Sequence, residues 1–432
     1  MTTPTAKILD LGLRVGDMLL SSGAGAADVT ATMLAVTRAG GLRGADVDVT
    51  FTRLSLSHQA SSDEPATVAL RSVGRRVIDY EDLTLVDHLV GDLLAERIDV
   101  DEAHSRLARI VSSGHRRPRW AVTLGWGVMG GAVGALVGGI TLVPVIAFVV
   151  AAGIDLLQRS LYRRRLPVFY QQVAGGMLAT LVAVATAAAH LHVNRSLVVT
   201  AGIVMLLAGI GLMGAIQDAL SGFYITGSAR ILEALLATGG IIAGVSGGLA
   251  IGGWFGVDLG VLVPGALGLA DLPARTLAAA VTAAAFAFAS YAPLRALLGI
   301  AAVAALGEAI YGFANLQDVG VAWASAVAAV AIGLVSFFVA ERVRVPPLVV
   351  VVSAVVPLLP GLSIYRGLSL IADGGDGILP MFNAAAIAIS LAAGVILGEY
   401  AAQPLHRTAR RVESRLAGPR LVGPRTPRKQ RP

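Results

Sequence analysis

The polar residues with the clearest chemical potential lie in two short stretches of an otherwise apolar chain. Arginine binds a carboxylate through two parallel hydrogen bonds, and a glutamate can receive an ammonium group, so Arg plus Glu suits a small zwitterion. Two arginines would suit a dicarboxylate better. The candidate ligand-binding residues are Gln217, Asp218, Arg230 and Glu233 in the first stretch, and Tyr365, Arg366 and Asn383 in the second.

Glu233 and Asn383 are 150 positions apart (383 − 233 = 150), and each lies about one turn into an apolar segment. An ionisable side chain at membrane depth is costly and usually faces a cavity or a partner. For Glu233 we therefore expect a position that lines a cavity. For Asp218 and Arg230, a second interpretation is equally good: they cap helix ends at the lipid headgroups.

Two more carboxylates, Glu308 and Asp155, lie within apolar segments and are candidates for proton coupling. Desolvation destabilises a charged carboxylate, so a buried one can exchange protons near neutral pH. Asp155 is four residues before Arg159, which favours an ion pair. Glu308 has no basic residue near it in the sequence, so it is the stronger candidate.

Both stretches belong to a duplication with an offset of 150 and no gap. Chance matches are the alternative, because Gly, Ala and Val dominate the chain, but glycines kept at one offset favour a true repeat. Long apolar segments duplicated once are typical of secondary transporters. Small residues on one helix face allow close helix contact in lipid. The glycines expected at hinges or helix contacts are Gly211, Gly227 and Gly244, with their counterparts Gly361, Gly377 and Gly394.

The amino-acid composition of the chain indicates the environment in which these residues lie. The chain is 55% apolar and 14% charged, with a mean hydropathy of +0.74, whereas soluble proteins are about 25% charged. A spanning helix needs about 20 apolar residues, and ten segments approach that length. The predicted spans are 120–140, 142–158, 169–190, 197–217, 229–252, 274–292, 294–313, 320–340, 346–364 and 380–400.

Residues 1–113 differ, because they hold more than half of the acidic residues and no span. This composition predicts a soluble α/β domain. Its helices are expected near 8–20, 28–36, 83–97 and 101–111, and its strands near 47–56 and 67–73.

Arginine clusters set the expected orientation, since basic residues in short loops stay in the cytoplasm. Clusters at 116–119, 159–165 and 342–344 and the basic tail all fall inside if both termini are cytoplasmic. Five spans per repeat then make the second repeat inverted. The expected division is 1–113, 114–255, 256–405 and a tail 406–432; whether 255–272 enters the membrane stays open.

Several classes of function are excluded or disfavoured. The chain has no cysteine, so it has no disulfide, thiolate metal site or thiol nucleophile. Its only lysines are Lys7 and Lys429, which leaves no phosphate-binding loop for ATP. We expect no metal, no cofactor and no catalytic residue. The net charge of +6 follows the membrane arginine bias rather than nucleic-acid binding. A homo-oligomer stays open.

The order of these parts resembles the threonine/serine exporter family of bacteria and fungi. The matching stretches are 19–24, 218–222, 230–234 and 357–362. Two departures are Ile210-Gly211, where the family has Pro-Gly, and Gly23 to Ala26, where it has a Gly-Ala-Glu-Thr-like sequence.

The resemblance implies export of threonine and serine across the inner membrane, coupled to the proton gradient. Split two-chain relatives imply dicarboxylate export as an alternative, such as export of succinate. A membrane-anchored sensor or enzyme in residues 1–113 is a third, but those residues lack a convergent nucleophile and base.

Overall fold

The structure is a computed structural model that describes residues 4–402 except 75–76, 138–141, 192, 194, 208, 257–271, 318 and 373–374. The basic tail and nearly all of 255–272 lie outside the described residues. The described part is mostly helical and fits a polytopic helical membrane protein.

Residues 4–113, here called the N-terminal unit, form four helices and an antiparallel sheet of order β1-β2-β3. Asp79 and Asp99 begin α3 and α4 by accepting hydrogen bonds from the amides of Asp82 and Glu102. The elements are α1 Pro4–Ser21, α2 Ala26–Ala39, β1 Asp46–Val49, β2 Arg53–His58, β3 Thr67–Ser72, α3 Tyr80–Leu94 and α4 Val100–Ser113. The single strand expected over 47–56 is wrong: the chain turns there, where the Thr50 amide bonds to Arg53 O, and makes a hairpin.

Twelve further helices follow in the described residues. In the first half they are α5 Arg119–Leu136, α6 Leu142–Arg163, α7 Val168–Ala188, α8 Arg195–Ile203, α9 Gly209–Leu220 and α10 Tyr224–Trp254. In the second half they are α11 Leu272–Ala289, α12 Leu294–Leu316, α13 Val321–Val343, α14 Pro347–Val355, α15 Gly361–Ala372 and α16 Ile378–Ala402.

Within the described ranges, seven helices are long and apolar enough to cross a membrane: α6, α7, α10, α11, α12, α13 and α16. The pair α8 and α9, bent by 46°, would make an eighth. The expected spans 197–217 and 346–364 are therefore not continuous helices. Each is interrupted by a 3₁₀ turn and an extended leucine.

The two halves repeat the same elements and the same packing. α5 packs on α6 as α11 packs on α12, and α7 packs on α10 as α13 packs on α16. The gapless offset of 150 needs correction, however. Gly209 begins α9 as Gly361 begins α15 (361 − 209 = 152), so Gly361 corresponds to Gly209 rather than to Gly211.

Glycines permit the closest helix pairs, as the sequence predicted. A Cβ at Gly244 would collide with the carbonyl oxygen of Val173, and one at Gly394 would lie 2.7 Å from that of Ala326. The contacted residues are 153 apart (326 − 173 = 153). Here the 150 offset of the glycines holds, and α7–α10 and α13–α16 make equivalent contacts.

We expect Gly244→Ala to lower the unfolding temperature of the purified protein, because the added methyl group meets backbone that cannot move aside. Overpacking of this kind costs about 1–3 kcal/mol. Gly239→Ala is the control on the same helix, since its Cβ would meet nothing within 4 Å. Equal unfolding temperatures for the two variants would contradict the packing argument.

Candidate functional site

Two interrupted helices meet at the centre of the repeats. α8 ends in the 3₁₀ turn Val204–Leu206 and α14 in the 3₁₀ turn Val356–Leu358. Leu207 and Leu359 then have extended backbone (φ −66°, ψ 134° and φ −64°, ψ 140°) before α9 and α15 begin. Extended residues leave backbone groups outside the helical hydrogen-bond pattern. In a membrane protein this is tolerated only where the backbone is buried in protein or lines a cavity.

The two interruptions pack on each other reciprocally. A Cβ at Gly209 would lie 2.9 Å from the Cβ of Leu359, and one at Gly361 would lie 2.7 Å from the Cβ of Leu207. Only glycine allows this approach without a shift of backbone. We call the region formed by Leu207, Gly209, Leu359 and Gly361 the break crossing.

Free space and partial charges adjoin the break crossing. A Cβ at Gly211, two residues into α9, would meet nothing within 4 Å. The first turns of α9 and α15 carry unpaired amide donors and partial positive charge, which favour an anionic group. The ends of the preceding 3₁₀ turns present carbonyl oxygens, which favour a cation. The arrangement can therefore receive a small molecule that carries both charges.

A buried ion pair adjoins the second interruption. The Glu308 carboxylate is 2% exposed and lies 2.7 Å from the Arg275 guanidinium. The expectation that Glu308 lacks a basic neighbour is wrong, because Arg275 is on α11 and distant in sequence. The residue before Glu308 is Gly307, whose Cβ would lie 3.8 Å from the Leu358 side chain in the 3₁₀ turn.

An equivalent ion pair adjoins the first interruption. Asp155 lies 2.6 Å from Arg159, as its spacing predicted, and accepts a 2.6 Å hydrogen bond from Thr123 on α5. Asp155 corresponds to Glu308 (308 − 155 = 153). The residue before it, Ile154, packs with Leu206 over Gly175. In both halves, the residue that packs against the 3₁₀ turn is therefore followed directly by a carboxylate that is paired with an arginine.

Asp218 and Arg230 are brought together, but with a partner that the sequence did not indicate. Asp218 is 1% exposed, lies 2.5 Å from Arg230 and accepts a 2.8 Å hydrogen bond from the Ala26 amide. Gly25, the N-cap residue of α2, provides no side-chain cap, so Asp218 caps α2 from a distance. The interpretation that Asp218 caps a helix end at the lipid headgroups is therefore wrong, because its carboxylate bonds to the N-terminal unit.

The other candidates lie apart. Glu233 is exposed on α10, although Arg230 one turn earlier points to Asp218, and Asn383 is exposed at the corresponding position of α16. Gln217 on α9 and Arg366 on α15 are half-buried; the side chain of Tyr365 lies outside the described residues.

The other glycines expected at hinges or helix contacts lie in two different settings. Gly227 is inside α10, where an added Cβ would lie 2.8 Å from Ala215 O, so it makes a helix contact. Gly377 lies in the break between α15 and α16. The signals that could have located the true interruptions are Pro357 and Pro360 in one half and the glycines around Ile210 in the other.

Acidic groups collect where α3 meets the membrane helices. His115 Nε2 lies 3.2 Å from Asp79 and its Nδ1 lies 3.5 Å from Glu81. Burial, and after it the negative charge of Asp79, raises the pKa of the Asp82 carboxyl to about 6. Burial also raises the pKa of Asp79. Ionising the carboxyl groups of Asp79 and Asp82 at this junction therefore costs free energy in the folded protein.

Comparisons with known proteins agree on one family. A family model described as "Putative threonine/serine exporter" matches residues 10–252, and one described as "Threonine/Serine exporter, ThrE" matches residues 275–401. A "Probable threonine/serine exporter" of Mycobacterium tuberculosis is 36% identical, covering 96% of this chain and 80% of the relative. A "Threonine/serine exporter" of Corynebacterium glutamicum is 36% identical, covering 94% and 84%. No solved structure matches the chain significantly.

We expect Asp82→Asn to raise the unfolding temperature at about pH 7 and to leave it nearly unchanged at about pH 4. The folded-state pKa of Asp82 is above the unfolded value, so its contribution to stability is present at low pH and is lost as pH rises through about 6. Asparagine cannot ionise and avoids that loss.

Asp92→Asn is the opposite control. Hydrogen bonding to Arg97 lowers the pKa of the Asp92 carboxyl, so its contribution is present at neutral pH and is lost as pH falls. This variant should be destabilised at about pH 7. The same pH profile for both variants would refute the assignment.

Proposed function

The chain belongs to the threonine/serine exporter family, and from that premise we propose that it exports threonine- and serine-like amino acids through the break crossing. The observation that carries this proposal is the reciprocal contact of Gly209 with Leu359 and of Gly361 with Leu207. Transporters built from inverted repeats bind substrate near the membrane midplane, at half-helix ends of this kind.

The substrate would be held by opposite ends of the half-helices. Its carboxylate would lie at the first amides of α9 or α15, and its ammonium group at the carbonyl oxygens that end the 3₁₀ turns. Gln217 and Arg366, on the same half-helices, are proposed to line the path with Tyr365. Glu233 and Asn383 are proposed as equivalent contacts farther along α10 and α16.

Proton coupling is proposed to run through Glu308 and Asp155. Protonation of Glu308 would remove the negative charge that holds Arg275 and would weaken the packing of the 3₁₀ turn beside it. Asp155 with Arg159 would act in the same way at the other turn. A buried charge whose partner is lost is costly, so proton binding and the position of each half-helix would be linked.

The proposed topology has ten crossings, with α8–α9 and α14–α15 each crossing once and the second repeat inverted. Support comes from contacts: Arg117, before α5, donates hydrogen bonds to Phe288 O and Ala292 O at the end of α11. The start of α5 and the end of α11 therefore share a face, and the end of α10 and the start of α11 are proposed to share the opposite face. The antiparallel packing of α5 on α11 fits an inverted repeat.

From the arginine bias, we propose that this shared face lies in the cytoplasm and that the N-terminal unit is a soluble domain there.

We expect a cysteine at Ser160, at the exposed end of α6, to react with an impermeant thiol reagent only after the cells are opened. Trp254 is the last residue of α10 and lies on the opposite face in the proposed topology. A cysteine at that position should react in intact cells. The reverse pattern would invert the topology.

We expect purified protein in liposomes to catalyse counterflow of labelled threonine and serine. Glu308→Gln should retain counterflow, which needs no net proton movement, and should lose export driven by a pH gradient. Glu308→Asp keeps an ionisable group and should retain part of the gradient dependence. If Glu308→Gln responds to the gradient as wild type does, Glu308 is a structural carboxylate only.

We expect Glu233→Gln to weaken threonine binding about ten- to hundredfold, because a charge-assisted hydrogen bond contributes about 1.5–3 kcal/mol. A dicarboxylate such as succinate would instead bind more tightly, since a repelling charge is removed. Binding of both ligands to the variant therefore separates the two substrate classes. Unchanged affinity for both would place Glu233 outside the site.

A further inference from the structure

The N-terminal unit holds both repeats on one face. In the first repeat, Asp218 of α9 caps α2, and the Thr226 hydroxyl of α10 donates to Val49 O of β1 at 3.4 Å. In the second repeat, the Tyr80 amide donates to Ser290 O at 2.9 Å, and His115, just after the unit, stacks on Tyr291 at 3.9 Å. The α9–α10 turn and the α11–α12 loop are thereby bridged.

One of these contacts lies on a half-helix of the break crossing, and another lies on a helix that packs against the second interruption. Asp218 is in the last turn of α9, which begins at the first interruption. Tyr80 is 1% exposed and meets the ring of Phe286 on α11 edge-on at 6.2 Å. α11 in turn packs on α14 and on the 3₁₀ turn Val356–Leu358 that ends it.

The corresponding residue on the other half-helix is different. Leu370 of α15 takes the place of Asp218 (370 − 218 = 152). A leucine side chain cannot form an ionic cap. The repeats are nearly symmetric, but this attachment is specific to one face.

We propose that the N-terminal unit is a gate on its face of the membrane domain. While Asp218 and Tyr80 are engaged, α9 is held to α11 and to the α14 interruption that packs on α11, and the break crossing is closed to that face. Release of either contact lets α9 separate from α11 and α14 and admits the substrate. The direction of transport through this gate rests on the proposed function, but the closure itself does not.

The gate can be tested by thiol accessibility without any substrate. Because the chain has no cysteine and a Cβ at Gly211 meets open space, Gly211→Cys reports on access to the break crossing. An impermeant maleimide is applied to oriented membrane vesicles from each face in turn. Added to this background, Asp218→Ala removes the oxygen that accepts from the Ala26 amide, and Tyr80→Ala removes the inserted ring.

We expect each gate variant to be labelled about tenfold faster than the parent from the face of the N-terminal unit, the shift produced by losing one charge-assisted or buried contact. Labelling from the opposite face should not increase. Asp101→Asn is the matched control: it breaks the ion pair with Lys7 inside the N-terminal unit and should leave the rate unchanged.

Unchanged labelling in both gate variants overturns the proposal, as does an equal increase from both faces or in Asp101→Asn, which would mean general loosening. If Tyr80→Ala does not fold, Tyr80→Leu keeps a large apolar side chain and loses the ring contact with Phe286. Counterflow of threonine is measured separately, so the gate can fail while transport stands, and transport can fail while the gate stands.

Discussion

Two interrupted helices that touch through glycine set the constraint on which the rest of this structure depends. Backbone groups freed by an interruption need partners, and lipid supplies none. Here the interruption at Leu207 is covered by Gly361, and the one at Leu359 is covered by Gly209. Side chains at those glycines would separate the interruptions and expose both. The remaining helices can be understood as a frame for this contact, since α7–α10 and α13–α16 pack through backbone-to-glycine contacts that leave little freedom in helix spacing.

Charge in this frame appears where it can be neutralised. Glu308 has Arg275, Asp155 has Arg159, and Asp218 has Arg230 together with the amide of Ala26. Removing one partner of a buried pair costs far more than the intact pair contributes. Glu308 with Arg275 joins α12 to α11. Asp155 and Arg159 are both on α6, and Asp155 reaches α5 through the Thr123 hydroxyl. Asp218, through the Ala26 amide, joins the N-terminal unit to α9.

Local sequence pattern predicted what local forces determine. The apolar lengths gave most of the membrane helices, and the glycine spacing gave the α7–α10 and α13–α16 contacts, because both depend on residues near each other in one helix. Three features depend on distant residues and could not be read in that way. Arg275 reaches Glu308 from another helix, Asp218 caps a helix that begins at Ala26, and the interruption near Gly209 contains no proline. The offset of 150 likewise described one helix pair and not the half-helices, whose first residues are 152 positions apart (361 − 209 = 152).

The N-terminal unit changes the energetics of a nearly symmetric protein. In the proposed inverted arrangement, the two repeats alone would give conformations open to either face with comparable contacts, and neither would be strongly preferred. The Asp218 cap exists on one face only, because Leu370 occupies the corresponding position of α15. A contact present in one conformation and absent in the other shifts the population by its differential free energy. Under the proposed gate, the unit favours closure on its own face, and a transporter with this bias rests open to the opposite side until the contacts with α9 or α11 are broken.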